Sequence, residues 1–152
     1  MHQKTVTLPL KRADHAEDLP MPCYMTDGAS GLDLHAAVDK PQEIRPGEII
    51  LIPSGLMAAV PSGYELQIRP RSGLAAKHGL GILNSPGTID SDYRGEIKII
   101  MINLGPDPFT IKRGERIAQM VLCPVFRAEI EVVSELPASP RNNGGFGHTG
   151  KA

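Results

Sequence analysis

Asn84-Ser85-Pro86-Gly87-Thr88-Ile89-Asp90-Ser91-Asp92-Tyr93-Arg94-Gly95 is the stretch on which the reading of this chain turns. It separates two β-like runs, Gly81-Ile82-Leu83 before it and Glu96 to Leu104 after it. Pro86-Gly87 signals a turn, and the Asp and Ser side chains offer oxygens to nearby backbone N–H groups. The segment therefore reads as an irregular hairpin whose tip carries an amide, two carboxylates and an aromatic ring. In extended chain Asp90 and Asp92 project to one side, because side chains alternate with period two. An Asx turn with solvated acids is the plain alternative. The local chemistry offers more. Asn84 can read a polar ring edge, Tyr93 can pack on a ring or sugar, and an ordinary aspartate is ionised at pH 7 and can take a proton. One such base contributes roughly 10²–10⁴-fold to a rate. The stretch is a candidate nucleotide pocket.

Outward from it, composition bounds the fold. The chain has 152 residues, enough for one domain with a core. Its 16 glycines and 14 prolines exceed the roughly 12% usual for soluble proteins. That excess predicts many turns, short strands and few helices. A net charge of −1 provides no global basic field, so direct nucleic-acid binding is not expected and an anionic ligand needs local partners. With no apolar run near membrane-spanning length and no leader-like segment after Met1, a soluble, cytoplasmic protein without membrane association is expected. Cys23 and Cys123 are expected to be free thiols, and no Cys/His cluster has zinc-ligand spacing. His2, His15, His35 and His78 are scattered and read as surface residues.

Along the chain, Thr5 to Leu10 reads as an opening strand, and Pro20 and Pro22 exclude a helix from the turn-rich Lys11 to Asp27. In Ser30 to Ala37, Leu32 and Leu34 share one face and Asp33 and His35 the other. Ile44 to Val60 reads as strands broken at Arg45-Pro46-Gly47-Glu48 and again at Pro53-Ser54-Gly55. Tyr64 to Ile68, Phe109 to Ile111, Ile117 to Val125 and Glu129 to Val133 read as further strands. This spacing predicts an all-β sandwich or barrel-like fold, with no βαβ rhythm. Ile99-Ile100-Met101-Ile102 is apolar on both faces, which suits a central strand or a subunit contact.

The one helix predicted is short, within Pro70 to Leu80, with Ser72 as its cap and Gly79 as its stop. Its N-terminus, beside Arg71 and the Ser72 hydroxyl, is a candidate phosphate site. Gln119 interrupts the apolar run Ile117 to Leu122, and a buried amide needs partners, structural or ligand. From residue 139 the chain turns polar and glycine-rich, which predicts a flexible arm over 139–152 after a β-rich domain over 1–138. Phe146 among glycines could close over a ring while the backbone N–H groups approach phosphates. Gly145 and Gly150-Lys151 approximate a phosphate-binding P-loop, but Ala152 stands where Ser or Thr is required and no helix follows.

As a set, five ordered stretches resemble the motifs of the trimeric dUTP pyrophosphatases, the dUTPases: Ser30–Ala37, Pro70–Leu80, Gly81–Ile97, Gly114–Leu122 and Arg141–Gly150. Pro-Arg-Ser-Gly, Ile-Asp-Ser-Asp-Tyr-Arg-Gly and Gly-Gly-Phe-Gly are the specific cores. The chain departs from the fifth motif at Asn142, where the family has Gly, and at His148, where it has Ser. The resemblance implies a homotrimeric, jelly-roll-like β fold with active sites between subunits. It implies cleavage of dUTP to dUMP and pyrophosphate by water attacking the α-phosphorus, which limits uracil in DNA and supplies dUMP for dTMP synthesis. Asp90 would deprotonate the water, Asn84 would bind uracil and Tyr93 would pack under the deoxyribose. Arg71, Ser72, Gly73 and Gln119 would serve the phosphates and water, with Lys98 also contacting substrate. Arg141, Phe146, Gly147, His148 and Thr149 would come from another subunit's arm. Mg²⁺ would be held mainly by the triphosphate, and by Asp33 through water. Deamination of dCTP on a related fold, and nucleotide binding without catalysis, are the competing readings. The Asp90 to Tyr93 run and the Gly-rich tail favour the hydrolase.

Overall fold

The computed structural model describes residues 5–144. Ten strands and one short helix follow each other as β1 (Leu10–Arg12), β2 (Leu32–His35), β3 (Gln42–Ile44), β4 (Ile49–Ala58), β5 (Tyr64–Pro70), α1 (Ser72–His78), β6 (Leu80–Ile82), β7 (Gly87–Ile89), β8 (Glu96–Asn103), β9 (Phe109–Ile111) and β10 (Arg116–Pro124). Two four-stranded sheets, ordered β1-β4-β8-β6 and β2-β10-β5-β7, enclose the core, and β3 pairs with β9. Every pairing is antiparallel. The expected all-β, jelly-roll-like architecture is what the chain adopts.

Alternation builds the core. Leu34 of β2, Leu66 and Ile68 of β5, Ile97, Ile99 and Met101 of β8, and Ile117 and Met120 of β10 are buried between the sheets. On β8 the intervening residues face outward, where Ile100 lies opposite Leu51 and Ile102 opposite Ile49. Leu51 and Ile49 are about half exposed. β8 thus presents apolar side chains on both faces, with its outer face uncovered among the described residues.

Four local readings need correction. The opening strand starts at Leu10 instead of ending there; Pro9 has no N–H, so the two-way ladder with Ala58 begins one residue later. Pro53-Ser54-Gly55 does not end β4 but bulges within it, the register with β8 shifting between Pro53 and Met57. Ser54 is buried and its hydroxyl donates to the Ile97 carbonyl at 2.6 Å, while Gly55 N–H donates to the Glu96 carboxylate at 2.8 Å. Gly55 has φ 69°, and a Cβ there would collide with the Ala16 methyl. Glu129 to Val133 alternates like a strand but pairs with nothing among the described residues, whose last strand is β10. Finally, Arg71, not Ser72, is the N-cap of α1, and no side chain caps it.

The other end of α1 is fixed by backbone. Gly79 stops the helix at φ 68°, and its carbonyl accepts from Leu104 N–H at 2.9 Å. A Cβ on Gly79 would meet the Gly105 backbone, and one on Gly105 would meet the His78 carbonyl. Beside them the buried Asn103 amide donates to the Ile44 and Asp107 carbonyls and accepts from Gly105 N–H. Both cysteines are free. No helix among the described residues is long and apolar enough to cross a membrane.

Candidate active site

The motif residues fall into two groups. The first surrounds Asp33 on β2. Register places Asp33 opposite Gln119 on β10, and Gln119 opposite Arg69 on β5, just before the helix carrying Arg71, Ser72 and Gly73. Arg71 Nε faces Asp33 Oδ1 at 3.6 Å, an ion-pair contact too long for a hydrogen bond. Arg116 Nη1 donates to Asp33 Oδ2 at 2.9 Å, and Arg71 Nη1 donates to the Arg116 carbonyl at 2.9 Å. Gln119 Nε2 donates to the Pro70 carbonyl at 3.2 Å, giving the amide a structural partner. Gly31 makes room for it, since a Cβ there would come within 2.6 Å of Gln119 Oε1. Ser72 and Gly73 are exposed at the helix start, where first-turn N–H groups lack intrahelical partners.

Charge is concentrated here. The Asp33 side chain is only 13% exposed and offsets two guanidinium groups with one carboxylate, leaving the cluster net cationic. His35, opposite Arg116, is held below the usual imidazole pKa: burial disfavours its charged form, Asp33 opposes that, and Arg116 and Arg71 add to it. Such a net cationic cluster can receive an anion. Arg116 was missed as a site residue because it reads as one cation in the turn Lys112-Arg113-Gly114-Glu115-Arg116. Only the β2–β10 pairing brings it to Asp33.

The second group belongs to the Asn84–Gly95 segment. It is less simple than a hairpin: β6 and β8 pair, but β7 between them crosses to the other sheet and pairs with β5. Asn84 and Lys98 line a cavity of about 140 Å³ with Ile68, Ile82, Gly87 and Ile99. This is far below the roughly 300–1,000 Å³ of a drug-sized pocket and matches a single planar ring. Asp90 is exposed past the end of β7, at the rim of a separate cavity with Tyr64, Glu65 and Asp92. Tyr93 N–H donates to the Asp90 carbonyl, and its hydroxyl donates to the Glu96 carbonyl at 3.1 Å. A Cβ on Gly95 would strike the Tyr93 ring, so glycine is what lets the ring lie there. Arg94 staples the loop by donating to the Ser91 and Tyr93 carbonyls at 2.7 and 2.8 Å.

The two groups do not meet within one chain. Ile89 pairs with Leu66, which sets Asp90 beside Glu65 near the start of β5, while Arg71 follows its far end. At about 3.3 Å per residue, the six residues from Glu65 to Arg71 span roughly 20 Å. Of the arm, Arg141 is described, its Nε donating to the Gly144 carbonyl at 2.6 Å. Asn142 has φ 42°, in the left-handed region that favours glycine and that Asn tolerates better than most side chains, which accounts for this departure from the motif. Phe146, Gly147, His148 and Thr149 lie outside the described residues.

For Mg²⁺ the donor set is informative. Among the described residues no three His, Cys, Asp or Glu side chains converge as a metal cluster. Asp33 has a guanidinium at each carboxylate oxygen, a poor place for direct cation contact. Its remaining lone pairs can accept from metal-bound water, so the residues fit an ion that arrives with phosphate, as Mg²⁺ commonly does.

The dUTPase family model matches residues 17–150. The chain belongs to the dUTPase family. A curated relative, the deoxyuridine 5'-triphosphate nucleotidohydrolase of Caldanaerobacter subterraneus subsp. tengcongensis, is 56% identical over 146 residues, covering 96% of this dUTPase and 99% of the relative. The dUTPase of Staphylococcus bacteriophage 80alpha, solved with dUpNHpp, is 26% identical with a TM-score of 0.86, over 97% of this chain and 100% of that one. A dUTPase from phage phi11 of S. aureus, 23% identical over 86% of this chain and 98% of its own, shares the fold with a TM-score of 0.76; its structure describes coordination of a structural Mg(II) ion.

Proposed function

We propose that this dUTPase hydrolyses dUTP to dUMP and pyrophosphate at three sites of a homotrimer, each assembled from more than one subunit. The observation that carries the shared site is the roughly 20 Å of strand between Asp90 and Arg71. One α-phosphate cannot meet both groups of a single chain, whereas a cyclic assembly sets one copy's first group against its neighbour's second. Two uncovered apolar surfaces support assembly: the outer face of β8 and β4, and the segment after β10. In that segment Phe126, Ile130, Val132 and Leu136 are each more than 80% exposed.

In the assembled site the Asn84 amide reads the uracil edge, in a cavity whose size admits one ring. Tyr93 packs under the deoxyribose and leaves no room for a 2′-hydroxyl, and Lys98 borders the same cavity. Arg71, the backbone and hydroxyl of Ser72, Gly73 and Gln119 hold the phosphates, which aligns the α-phosphorus with the attacking water. Asp90 takes the water's proton as the P–O bond forms, and pyrophosphate leaves from the opposite side. Mg²⁺, when bound with the nucleotide, draws charge from the phosphate oxygens and fixes their pose. Asp33 would hold the ion through its water shell. The arm, residues 139–152, closes from another subunit with Arg141, Gly147, His148 and Thr149 on phosphate and Phe146 on uracil. The hydrolysis limits uracil in DNA by removing dUTP and supplies dUMP for dTMP synthesis, and free cysteines suit action in the reducing cytoplasm.

Incubation with dUTP and Mg²⁺, assayed for both pyrophosphate and ammonia, tests the reaction. Pyrophosphate with dUMP is the expected result. Ammonia release, or tight binding with neither product, would overturn it. Sedimentation of an active monomer would overturn the shared site.

A further inference from the structure

Arg116 performs no step in the reaction above, yet its geometry is specific. Its guanidinium holds one oxygen of Asp33 at 2.9 Å, and the other oxygen faces Arg71 Nε. Its backbone carbonyl accepts from Arg71 Nη1 at 2.9 Å. Arg71 is therefore gripped on two edges by a single residue, once directly and once through Asp33. Among the described residues Nη2 and the second hydrogen of Nη1 have no partner, and these are the donors a guanidinium uses to fork a phosphate. The Arg116 side chain is itself 40% exposed and Asp33 only 13%, so the pair is anchored from the surface inward. An ordinary surface ion pair contributes little to stability. This one differs because its carboxylate also orients a second, half-buried cation at the proposed phosphate end.

We propose that Arg116 is a positioning residue for triphosphate recognition: through Asp33 and its own carbonyl it fixes the rotamer and charge balance of Arg71, so that Arg71 meets the phosphates already oriented. This rests on the proposed dUTP hydrolysis. The chemistry recognised is a polyphosphate, and the nucleoside is irrelevant to the device. Without the Arg116 guanidinium, Asp33 is free to form a closer, bidentate pair with Arg71 and draw its fork away from substrate. The carbonyl contact alone does not oppose that swing. Losing orientation of this kind costs up to about 10²-fold when reacting groups are displaced by around 1 Å.

The experiment is a double-mutant cycle on the full-length protein with Arg116→Gln, Arg71→Ala and the pair. Dissociation constants are measured for an imido-bridged dUTP analogue and for dUMP, with thermal melts on each protein and wild-type pyrophosphate release checked first. A wild type that releases no pyrophosphate but binds the analogue faults the hydrolytic reading and leaves the cycle interpretable for binding. Arg116→Gln is expected to weaken analogue binding about 10–100-fold and dUMP binding less than about 3-fold, and to add little once Arg71 is Ala. Arg116→Lys, which keeps charge but not the planar fork, serves if the Gln variant melts early and is expected to recover only part of the affinity. Additive losses in the cycle, equal losses for dUMP and the analogue, or no loss would each overturn the proposal.

Discussion

The two groups of site residues are built on opposite plans. Around Asp33 the side chains hold each other: two arginines share one carboxylate, and Gln119 is tied to the Pro70 carbonyl. Around Asp90 the backbone does the holding, through the Arg94 staple and the Tyr93 hydroxyl on Glu96, and the Asp90 carboxylate stays exposed. An anion receptor benefits from charges fixed before the ligand arrives, because their reorganisation is then not part of binding. A base benefits from being accessible to water. On the proposed reading, the difference teaches that anion recognition is prepared within each subunit, while chemistry waits for a neighbour.

Removing the base is the strongest way to sharpen this contrast. Asp90→Asn is expected to bind the dUTP analogue nearly as wild type yet lose at least about 10²-fold in kcat. Stopped-turnover assays with a matched binding titration check it; wild-type-like turnover would remove Asp90 from the mechanism. Next comes complementation. Asp90→Asn and Arg71→Ala chains, each nearly inactive alone, should regain about a quarter of wild-type activity when refolded together at equal amounts, because random pairing of neighbours in a ring rebuilds intact sites. No recovery would mean that each site lies within one chain. A smaller effect is expected from Gly95→Ala, which displaces the Tyr93 ring: KM for dUTP should rise about 10-fold, consistent with about 1–3 kcal/mol for ring stacking, with the fold intact by circular dichroism.

The least effect concerns the prepared side and runs through pH. Because the folded protein holds His35 below its ordinary pKa, the unfolded chain binds a proton that the folded one refuses as pH drops below about 6.5. Stability therefore falls with decreasing pH across that range. His35→Gln should flatten the dependence of Tm on pH between 7.5 and 5.5 relative to wild type. An unchanged slope would show that His35 contributes nothing to it.

What the sequence disclosed follows the range of the forces involved. Alternation in Leu32 to His35 and in Glu96 to Asn103 is local, and both became strands with the expected faces. Gly79 announced the helix end because its positive φ is a property of the residue itself. Pro53-Ser54-Gly55 looked like a break because what carries β4 through it, the Ser54–Ile97 and Gly55–Glu96 hydrogen bonds, comes from about forty residues away. Glu129 to Val133 has the right pattern, but a strand also needs a partner, and among the described residues this segment pairs with none. For the site, Asp90, Tyr93 and Asn84 could be picked out as candidates because turn signals and groups capable of chemistry coincide in one stretch. The role of Arg116 was hidden, since the 83-residue separation from Asp33 is closed only by sheet pairing.

One detail of the fold has a mechanical consequence. Where Gly79 and Gly105 meet, backbone lies directly on backbone with no side chain between them. Side chains act as cushions: they change rotamer, and cores give by tenths of an ångström when one is replaced. Bare main chain gives much less. The C-terminal end of α1 is thus referenced to the sheet like a part against a machined stop, and the exposed start of the helix inherits that alignment over only seven residues. Repacking the interior, for example Ile99→Val, should lower Tm without moving Ser72 or Gly73. A single added methyl at Gly105 should shift the anion-receiving end bodily, a change visible as lost analogue affinity in a protein whose core is untouched.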